Sequence, residues 1–242
     1  MPEPYEPADY WQRRLTRAFD LSGVGHQSFG HRYNEILYRR KEEVLTAALG
    51  QFPLAGAQVF DVGVGTGYFT DWFRARGATV SGVDIAEVAV ERARQRFGDG
   101  FRVADIGAEG FECGPPVDLV SMWDVAYHIV DDAAHARAMR HVAGLLKPGG
   151  RFVVTDWLGA PRDLAVAAHV RGRTLDTYER LLAPLGLQLE RALPLFHWLN
   201  RTVVKGLDER LAPLYLRLDR RRRHLSPRNL SFAIWARTPE PT

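Results

Sequence analysis

Short apolar runs alternate with longer segments of helical character along the middle of the chain, and this alternation allows few folds. The apolar runs have the length and composition of buried parallel strands, and they cover residues 57–62, 78–83, 101–104, 117–122 and 151–156. Between them, helices are predicted at residues 68–76, 86–97 and 131–146. Strands that alternate with helices pair in parallel through right-handed crossovers. The pattern therefore predicts a doubly wound α/β sheet.

Composition narrows the class of protein further. The chain is 46% hydrophobic and 25% charged, which is an ordinary globular mixture. Its single cysteine, Cys113, allows no internal disulfide, and we interpret it as structural or incidental. No apolar run approaches the roughly 20 residues that cross a bilayer, and the N-terminus lacks the features of a signal peptide. We therefore expect a cytoplasmic protein that makes no membrane contact.

A glycine-rich turn follows the first predicted strand. Asp61 is followed by Gly63, Gly65 and Gly67, which stand at every second position before the next helix. Glycine lets the main chain approach a ligand closely, and ligands of doubly wound sheets bind at this carboxyl edge. A dinucleotide loop has the spacing G-x-G-x-x-G, whereas here the third glycine comes one residue early and Tyr68 takes its place. The spacing argues against a dinucleotide site.

Two further aspartates end the next two predicted strands. Asp84 ends the second strand, where a carboxylate can accept hydrogen bonds from both hydroxyls of a ribose. Asp105 and Ile106 end the third strand, where they can meet an adenine ring. Any one of the three aspartates could instead be a helix N-cap or a solvated strand end. Their occurrence at three strand ends in this order favours a nucleoside site.

Residues 61–157 resemble the class I S-adenosylmethionine-dependent methyltransferases. The family's acidic-x-Gly-x-Gly-x-Gly loop matches residues 61–67, its ribose-binding acid matches Asp84, and its Leu-Lys-Pro-Gly-Gly turn matches residues 146–150. The resemblance implies a Rossmann-like doubly wound sheet with the strand order 3-2-1-4-5-7-6 and an N-terminal helical cap. It also implies S-adenosylmethionine as the cofactor. No Cys/His cluster has metal-ligand spacing, so no metal ion is expected.

The resemblance further assigns residues to the cofactor. Gly63 and Gly65 approach the methionine portion, and Asp105 with Ile106 and Ile85 encloses the adenine. Trp123 packs beside the cofactor, and the cap closes over it. The predicted cofactor-binding residues are Asp61, Gly63, Gly65, Gly67, Asp84, Ile85, Asp105, Ile106, Trp123 and Tyr33.

The fourth strand leads into a polar and aromatic cluster that contains Trp123, Asp124, Tyr127 and His128. In related methyltransferases the matching loop lines the methyl-transfer chamber, and His128 corresponds to a histidine often found there. With an ordinary pKa of about 6.5, histidine can take a proton near neutral pH. His128 is therefore the candidate catalytic base. The alternatives are that it only hydrogen-bonds the cofactor or a neighbouring strand, or that the acceptor needs no base.

Other candidates have weaker support from the sequence. Arg39 or Arg40 in the cap could pair with the methionine carboxylate, because guanidinium groups suit carboxylates, although solvated arginines are common. A sixth strand is predicted at residues 187–195, and His197 and Trp198, which follow it, either face the substrate or pack in the core. The block Arg220–His224, on an expected helix, suggests nucleic-acid binding, but neighbouring acidic residues dilute its charge.

The chain is interpreted as a single domain over residues 1–242. Its parts are a helical cap (1–50), a cofactor-binding core (51–195), an insertion or lid (196–228) and a last strand (229–237), whose alternating residues are typical of a sheet edge. The expected activity is methyl transfer to an O, N or C atom of a small molecule, such as a natural-product intermediate. The alternatives are a non-methylating cofactor-dependent enzyme, an RNA methyltransferase and a non-catalytic binding module. Nucleic acid is not the expected partner, and a homodimer stays open.

Overall fold

A seven-stranded sheet and a separate two-stranded hairpin form the β-structure of the computed structural model, which describes residues 5–239. The strands are β1 (Gln58–Val62), β2 (Thr79–Asp84), β3 (Phe101–Val103), β4 (Val117–Met122), β5 (Leu146–Asp156), β6 (Leu164–Ala167), β7 (Val170–Gly172), β8 (Leu187–Pro194) and β9 (Ser231–Arg237). The hairpin consists of β6 and β7. It is absent from the sequence prediction, because its two strands are only four and three residues long.

The sheet has the order β3-β2-β1-β4-β5-β9-β8. Its first five strands are parallel, and β9 is antiparallel to both β5 and β8. Since β8 and β9 are the sixth and seventh strands of this sheet along the chain, the predicted order 3-2-1-4-5-7-6 is confirmed. The interpretation of residues 230–236 as an edge strand is wrong: β9 is paired on both sides, and residues 231–235 are buried.

Eight α-helices surround the sheet within the described residues. They are α1 (Pro7–Arg17), α2 (Leu21–Val24), α3 (His31–Leu49), α4 (Tyr68–Arg74), α5 (Glu87–Phe97), α6 (Asp132–Leu145), α7 (Leu175–Leu182) and α8 (Asp208–Asp219). Short 3-10 helices cover Ala126–His128 and Ala183–Leu185. None of the helices within residues 5–239 is both long and apolar enough to cross a bilayer.

Two apolar clusters form the core, one on each face of the sheet. Val59 and Leu119 belong to the first cluster, together with residues of α3, α4, α5 and α8. Phe60 and Val120 belong to the second, together with residues of α6 and α7. Successive residues of a strand point to opposite faces, so strands covered on both faces are apolar throughout. This explains why the sequence showed continuous apolar runs.

The segment between β8 and β9 lies against the cap. Asp219, at the end of α8, accepts hydrogen bonds from the main-chain N–H groups of His197, Trp198 and Leu199 at 3.1, 2.9 and 3.2 Å. The arginine block lies beyond α8, so its prediction as part of a helix is wrong. Arg220 follows the last residue of α8 and its Nε lies 3.0 Å from Glu43 of α3.

Candidate functional site

A cavity of about 380 Å³ opens at the carboxyl ends of β1, β2 and β4. Its volume falls in the range of small-molecule sites, about 300–1,000 Å³. Most of the predicted site residues line it, namely Asp61, Gly63, Gly65, Asp84, Ile85, Asp105, Ile106, Trp123 and His128. Gly67 lies at the start of α4 and lines a neighbouring surface cleft. The topology thus brings three strand ends and the loop after β4 to one place.

The glycine turn is built by main-chain contacts. The N–H of Gly63 donates to Val83 O at 2.7 Å, and the N–H of Gly65 donates to Asp84 Oδ2 at 2.8 Å. Gly63 has a φ of 76°, in the left-handed region that favours glycine. A Cβ added there would lie 2.2 Å from Val125 Cγ2. The close approach of the loop after β4 therefore requires glycine at this position.

Asp84 is a buried carboxylate that faces the cavity. Besides the bond from Gly65, it accepts one from the N–H of Ala86 at 2.8 Å through Oδ1. Burial raises its pKa above the ordinary value, although these main-chain donors act in the opposite direction. A carboxylate oxygen can accept two hydrogen bonds, so each oxygen of Asp84 can still accept one hydrogen bond from a hydroxyl. That is the arrangement a ribose diol requires.

The next strand ends form a flat apolar slot. Ile106 is buried and Ile85 is half-buried, and both line the cavity. Asp105 is exposed at the mouth and accepts a hydrogen bond from the N–H of Gly107 at 2.7 Å through Oδ1. A slot with apolar sides and a carboxylate at its rim suits a planar heterocycle that carries an amino group.

At the other end of the cavity, Trp123 forms an aromatic wall. Its ring stacks on Phe69 and Phe232, with centroids 4.4 and 5.2 Å away. The next residue, Asp124, has a φ of 55° and receives a hydrogen bond from Thr155 Oγ1 at 3.1 Å. Its carboxylate also forms an ion pair with the buried amine of Lys41 from α3. Sequence reasoning missed Lys41, because its partner lies 83 positions away in the chain.

His128 lies in the 3-10 helix after β4 and faces the cavity. Its Nδ1 is 2.7 Å from the main-chain oxygen of His169. Its ring also meets the Trp11 ring edge-on at 4.9 Å. Burial lowers the pKa of His128 to about 4, although the bond to His169 acts in the opposite direction. The imidazole is therefore neutral at pH 7, and the expectation of an ordinary histidine pKa is corrected.

Helix α1 covers the cavity, and sequence reasoning assigned no site residue to it. Trp11 and Leu15 line the cavity from this helix. Beside them, Arg14 donates to Gly25 O at 2.5 Å and Tyr10 Oη at 3.3 Å, and its buried Nε has no partner within residues 5–239. The positive charge of Arg14 favours lower pKa values for Tyr38 and His128, both of which line the cavity.

The structure contradicts the assignment of Tyr33 to the cofactor. Tyr33 is buried away from the cavity, stacks on Phe29 with centroids 4.0 Å apart, and accepts a hydrogen bond from the N–H of Asn200 at 3.1 Å. Arg40 is also used elsewhere, because it donates to the main-chain oxygens of Pro194 and Leu195. Both side chains connect α3 to residues 194–200, at and after the end of β8. The sequence alone could not show which face of α3 meets this segment.

The predicted lid and a possible metal site remain to be located. Among the described residues, no member of the segment 196–228, including His197 and Trp198, lines the cavity. The role of that segment as a lid stays a prediction. Residues 5–239 also contain no group of three or more His, Cys, Asp or Glu side chains placed to hold a metal ion.

Comparison with known proteins identifies the family. A family model described as a methyltransferase domain matches residues 32–201, more than half of the chain. The chain belongs to the methyltransferase domain family. The domain is 36% identical over 103 residues to a ubiquinone biosynthesis O-methyltransferase of Thiobacillus denitrificans, which covers 40% of the chain and 43% of that relative. The chain thus spans about half the length of the curated relatives that it matches.

Solved structures share the fold of the methyltransferase domain. An N-methyltransferase from Bradyrhizobium japonicum in complex with S-adenosyl-L-homocysteine is 17% identical with a TM-score of 0.63, covering 95% of this chain and 97% of that one. A [4+2]-cyclase is 16% identical with a TM-score of 0.63, covering 98% of both chains. At these identities the similarity shows the fold alone.

S-adenosylmethionine is the cofactor of this family, and the cavity of the methyltransferase domain fits its parts. Asp84 offers two acceptors where a ribose requires them, and Ile85 and Ile106 form a slot for a flat ring. Gly63 and Gly65 line the cavity with main chain alone. Arg14 provides a cation whose hydrogen bonds within residues 5–239 go to neutral oxygens. The cavity lining therefore matches the ribose and the base of the cofactor, and Arg14 lies against the lining residue Trp11.

Proposed function

We propose that the chain transfers a methyl group from S-adenosylmethionine to a hydroxyl of a small aromatic acceptor. The observation that carries this proposal is the position of His128, which lines the same cavity as Asp84 and Ile106 and adjoins aromatic side chains. The rings of Trp11 and Tyr127 adjoin His128 at 4.9 and 4.5 Å. The relatives named as ubiquinone biosynthesis O-methyltransferases support an aromatic hydroxyl acceptor of the quinone-precursor type.

The cofactor would be held by residues of the glycine loop, the strand ends and α1. Asp84 would bind the ribose, Ile85 and Ile106 the adenine, and Arg14 the methionine carboxylate, since a guanidinium suits carboxylate geometry. When bound, S-adenosylmethionine supplies an activated methyl group. The protein's contribution is to align the acceptor and exclude water, which is worth roughly 7–11 kcal/mol in well-oriented reactions.

His128 would remove the proton of the acceptor hydroxyl. A phenol has an ordinary pKa near 10, so it is largely protonated at neutral pH and is a weak nucleophile. Nε2 of His128 can take this proton because the ring is neutral at pH 7. As negative charge develops on the acceptor oxygen, that neighbouring charge raises the pKa of His128 and favours the transfer. The loss of the proton and the gain of the methyl group then occur together.

Mass spectrometry with a matched panel of acceptors tests the proposal. A catechol, the corresponding aromatic amine and a non-aromatic alcohol are each incubated with the protein and S-adenosylmethionine. We expect the catechol product to be heavier by one CH₂, with no product from the alcohol. Methylation of the amine alone would contradict the hydroxyl preference. Calorimetry should show binding of S-adenosylhomocysteine and none of NAD; the reverse result would overturn the cofactor assignment.

Arg14 gives a separate test of the cofactor position. Arg14→Gln removes the charge but keeps donors for Gly25 and Tyr10. We expect the affinity for S-adenosylhomocysteine to fall by roughly tenfold, the scale of hydrogen bonds to charged groups, while the affinity for adenosine stays unchanged. An equal loss for both ligands would show that Arg14 supports the fold of α1 rather than the carboxylate.

A second candidate function is cofactor-dependent chemistry without methyl transfer, and the shared fold of the [4+2]-cyclase favours it. The same incubations distinguish the two functions. A product of unchanged mass that forms only with cofactor present would support the second candidate.

A further inference from the structure

The β6–β7 hairpin reaches the loop that carries His128. We propose that the tip of this hairpin is the positioning element of His128, so that its Nε2 is available to the acceptor. In this arrangement the main-chain carbonyl of His169 holds the imidazole in the tautomer with hydrogen on Nδ1, and the ring of His169 fixes its plane. The proposal rests on the proposed function, because it concerns the base of the same site.

The carbonyl contact determines the tautomer. A carbonyl oxygen can only accept a hydrogen bond, and Nδ1 of His128 lies 2.7 Å from the oxygen of His169. Nδ1 therefore carries the hydrogen, and the lone pair of the neutral ring is on Nε2. In histidine sites generally, the partner of one nitrogen sets the role of the other. Here that partner belongs to a turn and is independent of the side chain at position 169.

The two imidazole rings also contact each other. The rings of His128 and His169 lie 9° from parallel with centroids 5.7 Å apart. His169 stacks in addition on Tyr10 of α1, with centroids 5.1 Å apart. The hairpin tip is thus held between the helix that covers the cavity and the proposed base. The ring of His128 cannot rotate freely without disturbing both contacts.

Hydrogen bonds join the end of the hairpin to the same loop. Arg173, next to β7, is buried and donates to the main-chain oxygen of Ile129 at 2.8 Å and to Asp132 Oδ1 at 3.0 Å. Its N–H donates to Asp156 Oδ1 of β5 at 2.8 Å. Hydrogen bonds therefore connect His128 and the residues that follow it to a hairpin that is anchored on the central sheet. This is the construction expected of a part that holds a side chain in place.

Several charged or titratable groups act on the His128 ring. Arg14 of α1 and a protonated His169 of the hairpin disfavour its protonation, whereas Asp124 of its own loop favours it. Tyr127 lies beside the ring, and its pKa is raised well above the ordinary value by burial. Replacing His169 by phenylalanine removes one positive charge at low pH and leaves the stacked ring and the carbonyl.

Nuclear magnetic resonance of the full chain with ¹⁵N-labelled histidine tests the proposal without any substrate. At pH 7 we expect His128 to carry hydrogen on Nδ1 and none on Nε2, both in the unmodified protein and in His169→Phe. A hydrogen on Nε2 of the unmodified protein would overturn the proposal. Assignment comes from the signal that disappears in His128→Asn.

Kinetics of two matched variants provide the second measurement. We expect His169→Ala to lower kcat by roughly tenfold, the lower end of effects seen when an outer partner is removed, with KM for the cofactor unchanged. His169→Phe should keep kcat within about twofold, because the aromatic contact remains, and move the acidic limb of the pH profile upward. Equal kcat in both variants would show that the ring has no positioning role, and an unmoved limb in His169→Phe would show that the charge of His169 does not act on His128.

The two proposals fail in different ways. If the tautomer is as expected but His128→Asn transfers methyl groups at the normal rate, the base assignment is wrong. If His128→Asn is inactive but the tautomer is reversed, the base assignment stands and the role of the hairpin is overturned. The side-chain amide of Asn can donate to His169 O as Nδ1 does, so this variant keeps the hairpin contact and removes only the base.

Discussion

The two ends of the cavity are built in different ways. The proposed cofactor end is formed mainly by the ends of β1, β2 and β3, where the glycine turn is bonded to Asp84 and Ile106 lines the cavity. The proposed acceptor end is assembled from α1, the loop after β4 and the β6–β7 hairpin, which are far apart in the chain. Main-chain contacts suit a cofactor that is the same throughout a family, whereas side chains on separate segments can differ between family members with different substrates.

This difference predicts different consequences of mutation. Changes at the cofactor end should alter affinity for S-adenosylmethionine, and changes at the acceptor end should alter the rate of transfer at saturating cofactor. Variants from both ends, measured by calorimetry and by single-turnover kinetics, therefore test whether the two ends differ in this way.

The largest effect is expected at His128. His128→Ala should lower the single-turnover rate by roughly 10²–10⁴-fold, the usual contribution of a positioned base, and leave the affinity for S-adenosylhomocysteine almost unchanged. His128→Gln is the matched control that keeps a polar side chain. If both variants retain near-normal rates, alignment alone carries the reaction; a loss of cofactor affinity would place His128 at the other end of the cavity.

Asp84→Ala should act at the cofactor end. We expect cofactor affinity to fall by about 1.5–3 kcal/mol, or roughly 10–150-fold, the scale of hydrogen bonds to a charged group. Asp84→Asn keeps one oxygen for the main-chain donors and should lose less. Melting temperatures with and without cofactor separate a local loss of contact from a general loss of fold. Unchanged affinity in both variants would place the ribose elsewhere.

The ionisation of His128 should leave the pH profile nearly flat through the neutral range. Because burial lowers the pKa of His128 to about 4, the active neutral form predominates above that pH and is lost as the pH falls through it. We expect kcat/KM, which reports the free enzyme, to be only about a tenth lower at pH 5 than at pH 8. A fall of roughly 30-fold would indicate an ordinary pKa of about 6.5.

The smallest effect is expected at the exposed arginine block. Replacing Arg221 and Arg222 by glutamine should leave the turnover of a small acceptor unchanged, since both are exposed and the block lies outside the cavity lining. If RNA is the acceptor, the same change should weaken binding and flatten its dependence on salt, because phosphate contacts release counterions. Filter binding at two salt concentrations distinguishes these outcomes.

The order of the seven sheet strands was implied by the family resemblance, whereas the glycine turn and the placement of Asp84 could be predicted because their signals are local. A buried parallel strand shows as an apolar run, and a left-handed turn against a neighbouring loop shows as glycine at Gly63. The position of Asp84 follows once its strand is recognised, since the carboxyl ends of parallel strands share one edge.

Contacts between side chains that are far apart in the chain could be known only from the folded structure. Tyr33 was assigned to the cofactor because it lies in the cap, yet the face of α3 that carries it contacts the segment after β8. Lys41, Arg14 and His169 contact lining residues of the cavity from separate segments, and no periodicity or motif marks them. Side-chain contacts between such segments depend on how helices and loops pack. Local signals therefore predicted the glycine turn, Asp84 and His128, whereas packing decided that α1 and the β6–β7 hairpin lie against His128.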